Sequence, residues 1–292
     1  MRVTVLIASL LLPFAAHAAL PVVATTTSAE MLLREVGGTN VSISTLAPPD
    51  RDAHTLQVKP SMMRALHAAR LVVSIGAELE SGWLPPAIEA SANPQLLPGQ
   101  DGYFEIAAQV PLMGRQAADR GKGDVHPMGN PHVQMDPVRL ADAGLALAER
   151  LGKLDTGNAA AYRANAQRFH AAVEARMPAW QQQVAGAPGA LLYHKDADYL
   201  MARFNVPVLG YLEPLPGVPP TASHLMELAT RLRGRKGVVL HTVYQAGAGV
   251  ATLAQQLGWQ NVALPIDPAP GATAATYFAL IDQWIKALAS AR

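Results

Sequence analysis

The chain has 292 residues, 50% of them hydrophobic, with 23 basic against 22 acidic side chains. That length suits about two domains. The charge balance excludes the basic face that nucleic acid requires, and the hydrophobic content excludes a long disordered chain. The absence of cysteine excludes thiol catalysis, thiolate zinc sites, iron–sulfur clusters and disulfides together. Aromatic residues are only 5% of the chain, so Ala, Leu and Val must fill much of the core.

Residues 1–18 read as an export signal. Arg2 gives the positive start, an apolar run covers 3–15, and Ala16-His17-Ala18 precedes a cleavage point before Ala19. The run is too short for a stop-transfer helix. Cleavage removes one charged residue, Arg2, and leaves a mature chain of zero net charge. No cysteine follows for lipid attachment. A soluble protein exported to the periplasm is expected.

A short apolar strand is predicted at 20–26, followed by a helix at 29–36 that stops at Gly37-Gly38. Residues 41–46 alternate like a strand, 59–69 read as a helix, and 71–75 form a continuous apolar strand. This β-α-β-α-β order implies a parallel sheet covered by helices. Residues 113–130, rich in Gly, Asp, Arg and Lys, read as a loop, and 138–151 as a helix. Tyr162, Ala166, Phe169, Val173, Met177, Trp180 and Val184 then recur every three or four residues. They mark one apolar stripe on a long helix, which Pro178 would kink or cut short. The second half repeats the pattern, with strands at 190–193, 206–209, 237–240 and 262–266. Its helices are expected at 196–204, 222–232, 249–257 and 276–288. The expected fold class is α/β: two lobes, each a parallel sheet flanked by helices, joined by one long backbone helix. The boundaries are 1–18 for the signal, 19–150 for the first lobe, 151–186 for the linking helix and 187–292 for the second lobe.

The chemistry rests on nine histidines and the carboxylates. His54, His132, His194 and His241 each follow a strand or lie in a loop beside one, where ligands of open α/β sheets collect. No pair has a local spacing such as H-E-x-x-H, so any metal site is assembled from distant segments. His67 and His170 fall within predicted helices and read as surface or packing residues. His126 reads as a solvated loop residue, with transient metal capture open to it. Asp52, Asp136, Asp196 and Asp198 lie near these histidines. One of them is placed to orient a ring through its second nitrogen, or they are helix caps and surface charges.

Several motifs, in order, resemble the solute-binding proteins of zinc/manganese ABC importers. They are Val22-Val23-Ala24-Thr25-Thr26, Asp52-Ala53-His54 with Pro60-Ser61, and the Gly76, Leu79-Glu80, Trp83-Leu84 segment. Asn130-Pro131-His132-Val133 with Asp136-Pro137, His194-Lys195-Asp196-Ala197 with Tyr199-Leu200, residues 220–225 and Ile266-Asp267-Pro268 follow. The resemblance covers nearly the whole mature chain. It implies a metal held between the lobes by His54, His132, His194 and Asp267, and delivery to an inner-membrane ABC permease. It also implies small tilts of the lobes, a monomer, and no turnover. In this chain Gln134 stands where the family usually has Trp, and 113–130 holds His126 alone where zinc members often carry a His-rich loop. His241 stands where a glutamate is common; a site beside the cleft with no metal role is expected for it.

Three neutral imidazoles and one carboxylate suit Zn2+ and leave the site at net +1, which points to zinc rather than manganese. Affinity should fall as pH drops through about 6.5. An exported zinc chaperone or buffer remains a rival reading. So does a zinc hydrolase with water in the fourth position and Glu213 or Glu80 as base. Gly247-Ala248-Gly249, with Asp267 twenty residues on, mimics a dinucleotide fingerprint. Its third glycine position is Thr252, however, and the unit stands third in its half rather than first.

Overall fold

The computed structural model describes residues 18–115, 126–245 and 247–291. The expected signal, apart from its last residue, and the middle of the 113–130 loop lie outside the described residues. Two four-stranded sheets, each wholly parallel, carry the fold. The first has the order β2-β1-β3-β4, from β1 (Leu20–Ala24), β2 (Val41–Thr45), β3 (Leu71–Ser74) and β4 (Tyr103–Glu105). The second has the order β6-β5-β7-β8, from β5 (Ala190–Leu192), β6 (Val208–Tyr211), β7 (Val238–Thr242) and β8 (Gln260–Leu264). The two sheets share one topology, and the expected α/β class is what is found. The central strands β3 and β7 are buried along their whole length, β3 as its apolar run requires and β7 with His241 and Thr242 buried too.

Helices α1 (Thr27–Gly37), α2 (Pro60–Ala68), α3 (Leu84–Ala90) and α4 (Pro137–Leu154) accompany the first sheet. Helices α6 (Asp198–Arg203), α7 (Ala222–Leu232), α8 (Ala248–Leu257) and α9 (Ala274–Ser290) accompany the second. Helix α5 (Ala159–Val184) runs between them and buries Tyr162, Ala166, Phe169, Val173, Trp180 and Val184. Its stripe was legible, but Pro178 neither breaks nor shortens it. Pro178 and Glu174, whose carbonyl loses its partner there, are both exposed, so water can take that bond. Trp180 beyond it is anchored, its indole N–H donating to Asp282 Oδ1 at 2.6 Å. The helix predicted at 196–204 starts instead as a short 3-10 turn, Lys195–Ala197, before α6.

The lobes do not have wholly separate cores. One large apolar cluster joins α1, α4, α5 and α9 with residues of both sheets. Two smaller clusters seal the outer faces, one under α2 and α3, the other under α7 and α8. Polar bonds reinforce the shared core. Glu30 on α1 accepts the Gly271 N–H at 2.9 Å, and Glu35 accepts the Ala274 N–H at 2.7 Å, so α1 is tied to the start of α9.

Candidate metal centre

Each functional side chain sits just beyond the carboxyl end of a strand or at the start of a helix, where parallel sheets place their ligands. His54 belongs to the 3-10 turn Ala53–Thr55 that follows β2, and Asp52 caps that turn by accepting the His54 N–H at 2.9 Å. His194 follows β5 directly. His132 stands in the segment leading into α4, which the second lobe pins at four points. Asn130 Nδ2 donates to Lys195 O at 2.9 Å, and Tyr199 O–H donates to Asn130 O at 2.7 Å. Tyr277 O–H donates to Gln134 O at 2.7 Å, and Arg203 forks onto Asp136 at 2.9 and 2.8 Å. His132 is thereby held against the opposite lobe although 62 residues separate it from His194 in sequence.

The three histidines converge. One ring nitrogen from each of His54, His132 and His194 lies within 4.8 Å of the others. Ring centroids are 5.5 Å apart for His54–His132 and for His132–His194, and 6.1 Å for His54–His194. Two rings are oriented from behind. His54 Nδ1 lies 2.7 Å from Asp52 Oδ1, and His194 Nδ1 lies 2.7 Å from Glu213 Oε2. A carboxylate there accepts a hydrogen bond from Nδ1–H and leaves Nε2 with its lone pair, the tautomer a metal needs. His132 differs. It is 4% exposed, and neither ring nitrogen finds a hydrogen-bond partner among the described residues. Burial and the neighbouring rings of His54, His194 and His126 hold its pKa well below 6.5. It is therefore a neutral imidazole, with no hydrogen bond to give up if a metal binds there.

Carboxylates surround the cluster. Burial acts to raise the Asp52 carboxyl, but the bonds and attraction from His54 outweigh it and leave its pKa lowered. Asp196 is 4% exposed; burial raises it against the pull of His194 and a bond from Gln245. Its Oδ1 stands 3.6 Å from His132 Nε2. Asp267 is buried but is not brought into the 4.8 Å cluster. Its carboxylate takes the Ser28 hydroxyl and backbone N–H at the start of α1, and burial pushes it up to about 6. Asp136 caps α4 and binds Arg139 and Arg203, so it acts as an anchor and orients no ring. Asp198 accepts the Tyr211 hydroxyl at 2.8 Å.

The other histidines stay outside the cluster's three members. His126 Nε2 reaches His54 Nε2 at 3.2 Å, closer than a solvated loop residue would come. His241 is buried, with Nδ1 2.9 Å from the Thr242 carbonyl. His67, His170 and His224 bond to Ser91 O, Asp142 and Tyr211 O respectively. Glu80, named above as a possible base, accepts from Thr25, Ile75 and Gly76 and is committed to the fold. Glu213 is committed to His194. Two cavities flank the cluster. One of about 380 Å³ touches His126, His132 and His194, and one of about 750 Å³ touches His54, His194, Asp196 and Tyr244. Residue pairs such as His194–Glu213 and Ser28–Asp267 carry no spacing signal, and only the fold reveals them.

The Asp267 environment gives one expected result. Its rise from 3.8 to about 6 means the folded, metal-free chain bears a buried charge at neutral pH, at a cost of about 3 kcal/mol. Because the folded pKa is the higher one, this cost is complete above pH 6 and fades as pH falls toward 3.8. Asp267→Asn should therefore raise the metal-free melting temperature by several degrees at pH 8, and hardly at all near pH 4. Calorimetric melts at the two pH values check it.

A pair of parallel sheets around a buried histidine cluster, bridged by a long helix, defines a metal-binding solute-binding protein. The profile of the family described as "Zinc-uptake complex component A periplasmic" (ZnuA) matches residues 22–291, and the chain belongs to that family. The high-affinity zinc uptake system protein ZnuA of Yersinia pestis is 24% identical over 214 residues, 66% of this chain. The match spans 65% of that relative's length. A crystal structure of ZnuA superposes with a TM-score of 0.77 at 21% identity, covering 94% of this chain and 99% of that one. FpvC from Pseudomonas aeruginosa in complex with Mn2+ superposes with a TM-score of 0.80 at 22% identity, covering 94% and 98%. A Cd-bound periplasmic metal-binding protein from Candidatus Liberibacter asiaticus superposes with a TM-score of 0.72 at 17% identity, covering 92% and 98%. Among the described residues no helix is long and apolar enough to cross a membrane.

Proposed function

We propose that this chain is a periplasmic, monomeric capture protein that takes Zn2+ between its lobes and passes it to the permease of an ABC importer. His54, His132 and His194 hold the ion. The observation that carries this reading is the convergence of three imidazoles from distant segments, one of them buried with neither nitrogen hydrogen-bonded. A buried ring with neither nitrogen hydrogen-bonded is costly unless something else fills that role, and a cation bound there fills it. Imidazole donors suit zinc better than manganese or magnesium. Solved relatives in complex with Mn2+, with Ni2+ and with Cd leave the choice of metal to measurement. The family's transport role, and the commitment of Glu80 and Glu213 to other partners, speak against hydrolysis.

Calorimetric titration of chelator-stripped protein tests the reading. One tight zinc site per chain is expected, undisturbed by excess manganese and greatly weakened by His54→Ala. Absence of tight binding, or indifference to His54→Ala, would sink it. Stimulated uptake by vesicles carrying the cognate permease separates delivery from buffering.

A further inference from the structure

We propose that the loop at 214–220 is the trigger for metal release: an apolar side chain of the permease presses against Leu215, and the loop draws Glu213 off His194. This rests on the reading of a capture protein that hands its ion to a permease.

The loop follows β6 and reads Pro214-Leu215-Pro216-Gly217-Val218-Pro219-Pro220. Four prolines in seven residues fix their φ angles, so a push on the loop is passed along rather than absorbed. Both ends are held. The Glu213 N–H donates to Tyr193 O at 3.1 Å, and Thr221 caps α7 by accepting the His224 N–H at 3.3 Å. The middle reaches inward through Gly217, whose N–H donates to Glu213 Oε2 at 3.0 Å. The same oxygen stands 2.7 Å from His194 Nδ1. Among the described residues these two are the hydrogen-bond partners of that carboxylate. Gly217 has φ +76°, so the N–H is aimed by a turn that glycine adopts readily and other residues do not. Moving the turn takes away the donor that fixes the carboxylate. The His194 ring then loses the acceptor that orients it toward the ion.

The loop is also where a partner can press. Leu215 is 40% exposed. Pro214, Leu215 and Pro216 line the cavity of about 380 Å³, which reaches His132 and His194. A side chain entering it meets the loop and the ion's ligands together. Met113 and Pro131 extend its apolar lining, which suits an aliphatic or aromatic anchor. The partner that must meet this face is the one that receives the ion. The core shared by the lobes opposes release by swinging them apart and favours a local element.

The test follows zinc loss from the loaded protein to a chromogenic chelator, alone and with the cognate permease in nanodiscs. Wild type, Leu215→Ser, Gly217→Val and Gly234→Val are compared, with metal-free melts to confirm folding. Gly217→Val strains the turn and stands in for the push, so it should lose zinc about 10-fold faster with no permease present. Gly234→Val strains a turn of the same φ, +76°, before β7 and away from His241, and should leave the rate unchanged. Leu215→Ser should match wild type alone but show little of the acceleration that the permease gives wild type. The proposal falls if Gly217→Val releases zinc no faster, or if Gly234→Val releases it equally fast. It also falls if the permease accelerates Leu215→Ser as fully as wild type. Zinc loss that quickens with protein concentration alone would make a second copy the occupant and overturn it too. Failure of the underlying reading looks different: wild type itself binds zinc weakly, or the permease takes none from it.

Discussion

Alanine at position 132 should cost more than about 100-fold in zinc affinity and leave the metal-free protein nearly as stable at pH 7.5. Groups that merely support ligands are worth about 10–100-fold, so a ligand is worth more. Stability behaves otherwise because two effects oppose. Removing the ring opens a small cavity, which destabilises. It also removes two buried nitrogens that lack hydrogen bonds, whose burial costs about 1–3 kcal/mol. The pH dependence separates this from an ordinary core substitution. The folded pKa of His132 is depressed, so between it and 6.5 the unfolded chain holds a proton that the folded chain does not. Stability therefore falls as pH drops below 6.5, by about 1.4 kcal/mol per pH unit from this residue, until the folded value is reached. His132→Ala should lack that component. Melting curves from pH 7.5 to 5, wild type against variant, isolate it; parallel curves would refute the buried neutral ring. Zinc should be retained to lower pH at His132 than a free imidazole would allow.

Asp136→Ala should act in the reverse way, unfolding the protein first and weakening zinc as a consequence. Asp136 is fully buried. It caps α4 by accepting the Val138 and Arg139 N–H groups, and it binds both Arg139 and the guanidinium fork of Arg203. Breaking a buried pair from one side costs about 3–5 kcal/mol, and loss of the cap adds about 1. Arg203 keeps partial access to water, so about 3 kcal/mol in all is expected. For a chain of this size that lowers the melting temperature by roughly 6–12 °C. Asp136→Asn, which keeps an acceptor for the cap, should fall between. Zinc affinity should drop with Asp136→Ala because the segment carrying His132 loses its hold on the second lobe. A variant that melts like wild type would show that the anchor is redundant.

The long apolar stripe of α5 is readable because packing imposes it at a fixed period, and the run of β3 because a strand buried on both faces is apolar throughout. Strand β4 escaped notice because three residues, Tyr103–Glu105, carry too little period. Pro178 misled because its local penalty depends on which carbonyl it orphans, and that one faces water. His54, His132 and His194 were named through motif order. Their convergence was not visible from spacing, since it depends on Arg203, Tyr199 and Tyr277 pinning a loop of the other half. Sequence proximity marks Asp52 as a candidate to orient a ring, and it orients His54; Glu213, nineteen residues from His194, carries no such mark and stands in the sequence only as a possible base.

The apolar cluster common to both lobes also bears on rates. A binding protein whose walls must swing together holds only a fraction of its molecules ready for the ligand, and its apparent affinity falls by that fraction. Walls welded through α1, α4, α5 and α9 leave little room for such a swing. On the proposed capture function, nearly every molecule is expected to wait in a competent state, with association governed by diffusion and by shedding of the ion's hydration water. Stopped-flow zinc binding that stays linear in zinc concentration, with no saturating phase, checks this.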